Sequence, residues 1–417
     1  MLRYIEGFDG LVSDTPGNDI NGYNINNTNA YLAICAYLNF AHVEYPTMNT
    51  WHSPYSFISG YRGGHALQVN ISEDGIQRVC ALRSYDTPFS FSSTGTMSFG
   101  FRYKQRPNWL SYQNIIVGLD DGSRNFSATA FNDTSLWPIF GIHVITPAVF
   151  ITFSTAVTGS SSTPYYSEVL ASNYSYLNDW HYIDVSLSYM SGTVWSPYYR
   201  TTTYADGNIV SIGSLHFPSG SIFPGVCNKL LFHYRYSGDI ETGEEIAIDD
   251  IYITDNNPLD VYNRPTTLTG VIPNAYRHTI KTIKPTGDVR TDWFCSRIGS
   301  HASLMTLPYY SGSAYGYGYI AATGTGITEE YNFSDLEQAS DGKHIIGNIC
   351  GISLNPSMGA ISARTVTPIV NHSSMLNSSI YVNSDMTTGR IIEKNPSGIN
   401  SPWNPGTINN LMAGISI

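Results

Sequence analysis

The amino-acid sequence predicts an all-β protein, and three observations lead to this fold class. Only 13% of the residues are charged, about half the usual quarter. The chain is instead rich in tyrosine, threonine, isoleucine, valine and glycine, which favour strands and turns over helices. Many short stretches alternate apolar and polar residues with a period of two, as half-buried strands do. The best helical candidate is the stretch 29–40.

Turn signals separate the predicted strands. The apolar run that ends at Leu119, for example, is followed by Asp120, Asp121 and Gly122, which favour a turn. Strands about 8–15 residues apart with such turns predict a sandwich of two antiparallel sheets. The predicted strands are His65–Val69, Thr96–Tyr103, Ile115–Leu119, Ser127–Phe131, Ile142–Ile145, Val149–Phe153, Trp180–Tyr189, Thr193–Trp195, Thr201–Tyr204, Lys229–Tyr236 and Ile246–Ile253.

The length of 417 residues predicts two domains. We place the boundary at residues 255–258, where Asp255, two asparagines and Pro258 form a linker-like stretch. This gives one domain at 1–256 and a second, β-rich domain at 257–417. Strands in the second domain are predicted within 271–283, 344–352 and 361–370. The Tyr- and Gly-rich stretch 309–326 is either an aromatic loop or a packed strand.

Charge and hydropathy exclude several function classes. The net charge of −11 would repel nucleic acid, so no nucleic-acid partner is expected. The stretch Phe140–Phe153 is apolar but interrupted, and it is shorter than the roughly 18 residues of a membrane helix. We therefore expect no membrane insertion. The N-terminus lacks the apolar core of a signal peptide, and the five scattered cysteines contain no C-x-x-C pair.

Six segments within residues 1–256 carry a resemblance to a known fold family. They are Glu6–Asp9, Gly64–Val69, Thr96–Arg102, Trp180–Val185, Tyr204–Gly207 and Ala247–Ile253. In this order they resemble the strands of the laminin-G/concanavalin-like jelly roll. The resemblance implies that the first domain is a concanavalin-like jelly-roll sandwich.

Two groups of residues carry a second resemblance, in the C-terminal domain. The first is Ile283–Asp288 followed by Asp292 and Trp293, and the second runs from Ser401–Trp403 through Ile408–Leu411 to Ala413–Ile415. They look like segments of tailed-phage virion proteins, especially minor tail and tail-fibre-like proteins. The resemblance implies a structural protein of the virion tail, associated with the tip, baseplate or fibre, that serves assembly and host-surface contact.

The same resemblance implies partners and a location. Such a protein is synthesised in the host cytoplasm, and its partners are other virion proteins. Low charge with abundant tyrosine, asparagine and serine suits interfaces between symmetric copies, for which a trimer is the first expectation. Two other functions stay open. One is a carbohydrate-binding, lectin-like module that recognises a cell-surface glycan, and the other is a head-decorating or head-fibre protein.

Asp249 and Asp250 are the first candidates for a site. On a regular strand their side chains point to opposite faces, with Asp249 beside Ala247 and Ile251, and Asp250 beside Ile248 and Tyr252. One carboxylate must then lie among apolar neighbours, where it needs hydrogen bonds or a cation. Anchoring of a loop is the first interpretation. A calcium site is the alternative, and it needs six to eight oxygen ligands. No other cofactor is expected.

The same strand bears on catalysis. Some glycoside hydrolases with this jelly roll carry an E-x-D-x-x-E pattern, which sets two carboxylates the distance apart that a retaining mechanism needs. Here no glutamate lies two residues before either aspartate, and none follows three residues later. Serine-hydrolase, zinc-protease and nucleotide-binding motifs are also missing from the sequence. We therefore expect no enzymatic activity.

Aromatic residues in predicted loops and strand ends are candidates for contacts with a glycan or a protein. Exposed aromatic rings stack on sugar faces and anchor interfaces. Packing inside a tyrosine-rich sandwich is the alternative for each of them. The candidates are Trp109, Tyr165, Tyr166, Trp195, Tyr198 and Tyr199.

Overall fold

The structure is a computed structural model. It describes residues 2–7, 40–44, 55–60, 65–70, 78–89, 96–106, 112–120, 140–145, 148–153, 165–170, 180–193, 196–205, 208–216, 227–237, 245–255, 280, 283–296, 298–305, 320–336, 352–354, 357–358, 363–375, 379–382, 386–387, 390–392, 394–395 and 401–417.

Two large antiparallel sheets make up the described residues before 256. The eight-stranded sheet contains β1 (Leu2–Glu6), β3 (Tyr55–Ser59), β4 (His65–Asn70), β6 (Thr96–Arg106), β11 (Trp180–Thr193), β12 (Ser196–Ala205), β13 (Asn208–His216) and β15 (Glu245–Thr254). The seven-stranded sheet contains β2 (Phe40–Glu44), β5 (Arg78–Phe89), β7 (Tyr112–Asp120), β8 (Phe140–Ile145), β9 (Ala148–Phe153), β10 (Tyr165–Leu170) and β14 (Cys227–Ser237).

Strand order shows that distant parts of the chain are neighbours. The first sheet runs β13-β12-β11-β6-β15-β4-β3, with β1 also paired to β15, and the second runs β10-β9-β8-β7-β14-β5-β2. β6 therefore lies between β11 and β15, which follow it in the chain by more than 70 residues. Such long-range pairing is typical of a sandwich rather than of a simple meander.

The sandwich core is built by alternate residues of the strands. On β6, Met97, Phe99 and Phe101 are buried, and Leu187, Val185 and Ile183 of β11 stand directly opposite them. The seven-stranded sheet contributes Val117, Leu119, Phe140, Ile142 and Leu230, all buried. Each such side chain stabilises the fold by about 1.5–3 kcal/mol relative to exposure.

A third, six-stranded sheet forms the centre of the C-terminal part. Its strands are β16 (Pro285–Thr291), β19 (Thr328–Phe333), β22 (Arg364–Val370), β23 (Ser373–Ser374), β24 (Ile380–Val382) and β29 (Met412–Ser416). They run in the order β16-β19-β29-β22-β23, and β24 also pairs with β22. The last strand of the chain therefore lies at the centre of this sheet.

Short elements complete the described C-terminal part. The strand pairs are β17 (Phe294–Cys295) with β18 (Ile320–Ala321), β20 (Ile352–Leu354) with β26 (Arg390–Ile392), β21 (Ser357–Met358) with β25 (Met386–Thr387), and β27 (Lys394–Asn395) with β28 (Ser401–Pro402). The helices are α1 (His301–Met305) and α2 (Pro405–Asn409).

Helix α2 and the residues next to it contribute to the C-terminal core. Asn404 caps it, because the Asn404 side chain accepts from Thr407 N at 3.0 Å while Thr407 Oγ1 accepts from Asn404 N at 2.9 Å. Pro405 follows at the first helical position, where its missing N–H costs nothing. The buried cluster that results contains Val370, Trp403, Ile408, Leu411 and Ala413.

The structure confirms the all-β prediction, the N-terminal sandwich and the β-rich C-terminal part. Most predicted strands before 256 have matching strands of similar extent. Of the strand predicted at Thr193–Trp195, Thr193 is the last residue of β11, and residues 194 and 195 lie outside the described residues. The helical candidate 29–39 and the strand Ser127–Phe131 lie outside the described residues, and Phe40 begins β2. The two-domain division at 256/257 stays a prediction.

The helices bear on the prediction that the chain does not insert into a membrane. Within the described residues, no helix has the length and hydropathy that crossing a membrane requires.

Candidate functional site

Asp249 and Asp250 lie on β15, at a point where the strand is irregular. Asp249 stands opposite Arg102 of β6, but Tyr252 stands opposite Gly100, so β15 carries one extra residue between these two pairs. Asp250 takes the positive φ of 49° that such a bulge needs. The extra residue reverses the faces beyond it. Tyr252 therefore shares the face of Asp249, which corrects the predicted grouping of Tyr252 with Ile248.

The side chain of Asp250 is buried and held by protein donors. Arg102 Nε donates to its Oδ2 at 2.9 Å, and the backbone N–H of Ile280 donates to its Oδ1 at 2.6 Å. Its own backbone N–H donates to Asp249 Oδ1 at 2.8 Å. Asp250 thus joins three separate parts of the chain, which is the loop-anchoring role predicted for this pair.

A second buried carboxylate, Asp184, lies on the same outer face of the eight-stranded sheet. The hydroxyl of Tyr182 donates to Asp184 Oδ1 at 2.6 Å, and the hydroxyl of Tyr252 donates to the same atom. The guanidinium carbon of Arg102 lies 5.0 Å from the centre of the Tyr182 ring, a cation–π distance. Gly100 makes room for this group, because a Cβ there would lie 2.8 Å from the Tyr182 hydroxyl.

We call these residues the buried polar centre: Gly100, Arg102, Tyr182, Asp184, Asp250 and Tyr252. Apart from Gly100, which has no side chain, these residues are at most 2% exposed, so the carboxylates are sealed from solvent. Arginine and backbone N–H groups occupy both oxygens of Asp250, an arrangement that favours anchoring over calcium ligation. Among the described residues, no three His, Cys, Asp or Glu side chains come together as metal ligands would.

The predicted contact aromatics are only partly described. Tyr199 lies on β12, is 5% exposed, and packs edge-on against Tyr189 with ring centres 5.6 Å apart. Burial, and then the neighbouring Tyr189, raise the pKa of Tyr199 to about 12. Tyr199 is therefore a packing residue and does not present its ring to a ligand. Tyr198 also lies on β12, Tyr165 and Tyr166 begin the edge strand β10, and Trp109 and Trp195 lie outside the described residues.

The outer face of the eight-stranded sheet becomes accessible away from the buried polar centre. Tyr204 of β12 stands opposite Asp184, and the face continues to Thr202 and Arg200 and across to Ile212 of β13. Tyr204 and Thr202 are half-buried, Arg200 is exposed, and Ile212 is 52% exposed. We call these four residues the outer strip. It combines an aromatic ring, a cation and an apolar side chain on rigid strands, and it is the candidate recognition surface.

The C-terminal sheet contains a second set of buried carboxylates that the sequence did not reveal. Glu329 of β19 is 2% exposed and receives three groups. His301 Nδ1 lies 2.6 Å from its Oε1, the Tyr331 hydroxyl donates to the same atom at 3.1 Å, and Trp293 N donates to Oε2 at 3.1 Å. Burial first, and then Glu329, raise the pKa of Tyr331 well above its ordinary value.

Glu330, the next residue, holds a tight turn. The backbone N–H of His372 donates to its Oε1 at 2.9 Å, and His372 Nδ1 lies 2.7 Å from its Oε2. Asn371 and His372 have φ of 47° and 63°, which non-glycine residues seldom adopt. Asn371 is held by Met412, because its N–H donates to Met412 O and its side chain accepts from Met412 N. Glu330 therefore fixes the turn between β22 and β23.

Asp288 and Asp292, both in the first phage-like group, have structural roles. Asp288 accepts from the backbone N–H groups of Ala302 at 2.6 Å and His301 at 3.1 Å, and so holds the start of α1. Asp292 Oδ2 accepts from Thr328 N at 3.0 Å and from Arg290 Nε at 2.8 Å. Both carboxylates fasten the chain between β16 and β19.

Glu329 and Glu330 could have been found by one sequence signal. Two adjacent glutamates followed by Tyr331 and Phe333 in a strand-like stretch place a carboxylate on each face of the strand. In a chain with so few charges, that arrangement indicates buried and paired groups. Their partners His301 and His372 lie 28 and 42 residues away, and no local pattern identifies them.

No protein-family model matches this chain, and no curated protein matches it. Solved structures with a similar arrangement include the binding domain of botulinum neurotoxin serotype G, with 10% sequence identity, 86% of each chain covered and a TM-score of 0.28.

Two further solved structures match the chain over a shorter part. Lectin II from Ulex europaeus has 12% identity over 48% of this chain and 90% of its own, with a TM-score of 0.29. The PL-14 alginate lyase from Aplysia kurodai has 10% identity over 48% of this chain and 87% of its own, with a TM-score of 0.31. A toxin domain, a lectin and a lyase differ in function, and TM-scores this low do not assign any of these functions to this chain.

Proposed function

We propose that this chain is a structural protein of a tailed-phage virion, placed in the tail, that works by assembly and surface contact. The observation that carries the proposal is the role of the phage-like residues in the C-terminal part. Asp288 holds α1, and Trp403, Ile408, Leu411 and Ala413 build the core. A Cβ on Gly414 would lie 2.6 Å from Glu330 Cα, so the last strand requires glycine there. The resemblance thus rests on residues that specify one sheet.

The absence of catalysis is part of this proposal. Four of the five buried carboxylates in the described part of the chain, Asp184, Asp250, Glu329 and Glu330, each make at least two hydrogen bonds to protein groups. Carboxylate oxygens that already accept from protein donors are not available to contact a substrate. We expect the purified protein to release no reducing sugar or unsaturated product from alginate or bacterial polysaccharides. Measurable turnover would contradict this part of the proposal.

The virion location is tested on phage particles. Antiserum against the purified chain should label the tail in immunogold electron microscopy, and peptides of the chain should be found in purified virions by mass spectrometry. Pre-immune serum is the control. Particles that lack the chain would refute the location, and label confined to the capsid would favour the head-decorating or head-fibre alternative.

The outer strip favours a second candidate function, recognition of a cell-surface glycan. Aromatic rings stack on sugar faces, and a nearby arginine donates to sugar hydroxyls. A glycan array with the wild-type protein and with Tyr204→Ala and Arg200→Ala tests this role. We expect binding to fall in both variants, with Tyr381→Ala, an exposed position in the C-terminal part, as the control. No binding by the wild type would remove this function.

A further inference from the structure

Ile280 contacts the jelly roll close to the start of the C-terminal part. β15 ends at Thr254, and the N–H of Ile280 donates to Asp250 Oδ1 on this strand. Ile283 then packs against the C-terminal core cluster. From Ile280 to Ile283 the chain spans at most about 11 Å. A fixed point on one part therefore lies within three residues of a fixed point on the other.

Ile280 packs closely against the jelly roll. Gly7, which follows β1, lies beneath it, and a Cβ on Gly7 would be 3.0 Å from Ile280 Cγ2 and 3.3 Å from Ile280 O. β1 pairs with β15, so Gly7 and Asp250 lie on neighbouring strands, and both contact Ile280. Strand β26 of the C-terminal part also lies beside β1 and β5.

Two features of Asp250 do not involve Ile280. Its ion pair with Arg102 is 2% and 1% exposed, and separating a buried pair is strongly unfavourable. The positive φ of Asp250 belongs to the bulge in β15. The hydrogen bond to Ile280, in contrast, is only part-buried, because Ile280 itself is half-buried.

We propose that Asp250, Arg102 and Gly7 form a latch for Ile280 that holds the C-terminal part in one orientation on the jelly roll. Release of Ile280 is the step by which the two parts separate, and the jelly roll stays folded during it. This latch is independent of the tail location, because it follows from the contacts of the chain alone.

The variant Gly7→Val tests the latch without touching the ion pair. Its side chain would collide with Ile280, so hydrogen exchange at the Ile280 amide should rise roughly ten- to hundred-fold, as for loss of a charge-assisted hydrogen bond. Amides of β6 and β11 should keep their protection, and small-angle X-ray scattering should show a larger radius of gyration. Gly324→Val is the matched control, because a Cβ at Gly324 meets nothing within 4 Å.

Two results would overturn the latch. One is wild-type exchange at Ile280 in folded Gly7→Val, and the other is an equal loss of protection in β6, which would make Ile280 part of the core. Should Gly7→Val fail to fold, Ile280→Pro decides the question, since it removes the donor N–H and leaves β1 and β15 unaltered. An unchanged radius of gyration in that variant would likewise refute the latch.

Discussion

Buried carboxylates in this protein each have more than one hydrogen-bond partner. Asp184 accepts from two tyrosine hydroxyls, Asp250 from an arginine and a backbone N–H, and Glu329 from a tyrosine and a backbone N–H, with a histidine also in contact. Removing an ionised carboxylate from water costs several kcal/mol unless such bonds offset the loss. Each carboxylate therefore fixes the positions of the groups around it.

Gly100 is a position where a larger side chain would disturb the groups around Asp184. A Cβ in Gly100→Ala would lie 2.8 Å from both the Tyr182 hydroxyl and Tyr252 Cε1. We expect the free energy of unfolding to fall by about 1–3 kcal/mol, as for overpacked cores, in urea titrations followed by tryptophan fluorescence. Gly324→Ala, with open space around it, should change stability by less than about 0.5 kcal/mol. Equal stability of the two variants would contradict the packing described.

Alkaline pH should destabilise the fold through Tyr199. Its pKa is raised to about 12 by burial, above the ordinary value of 10.0. Between these values the unfolded chain loses a proton that the folded chain keeps, so the free energy of unfolding falls as pH rises. Tyr199→Phe should show a shallower fall between about pH 10 and pH 12 in urea titrations. A residual slope is expected from Tyr331, whose pKa is also raised by burial.

At the level of elements, the C-terminal sheet is joined by a short helix and a tight turn, and side-chain hydrogen bonds stabilise both. Helix α2 is only five residues long, too short to be stable alone. Its cap at Asn404 and its buried residue Ile408 fasten it to the sheet through Leu411 and β29. The turn at Asn371 and His372 is fixed in a similar way by Glu330.

Substitutions of Asn404 test how much the N-cap of α2 contributes to stability. Asn404→Ala removes the acceptor for Thr407 N, and we expect the C-terminal part to lose about 1 kcal/mol. Asn404→Asp keeps an acceptor at the same place and should be close to wild type. Thermal unfolding followed by circular dichroism measures both. A loss in Asn404→Asp as large as in Asn404→Ala would show that the cap is not the cause.

The alternation of β6 could be predicted from the sequence, whereas the irregularity of β15 could not. Met97, Phe99 and Phe101 reveal their common face by spacing alone. The bulge at Asp250 depends on how β15 pairs with β6, which lies more than 130 residues earlier. For the same reason, Asp249 and Asp250 could be identified as anchoring residues but their partners, Arg102 and Ile280, could not.

For the whole molecule, the trimer implied by the phage resemblance remains an expectation that can be measured. A trimer of this 46.0 kDa chain should have a mass near three times that value in size-exclusion chromatography with light scattering. Its melting temperature should also rise with protein concentration, because association stabilises the folded chain. A monomer at all concentrations would contradict the trimer, although it would leave the fold unchanged.

The buried ion pair of Arg102 and Asp250 also limits how this sequence can change over time. A substitution that removes either charge leaves the other buried without its partner, at a cost of about 3–5 kcal/mol, a large part of the stability of a typical domain. Related sequences should therefore keep both residues or replace both by apolar ones. Gly100 and Asp184 should change together in the same way, because a larger residue at 100 needs a smaller one at 184.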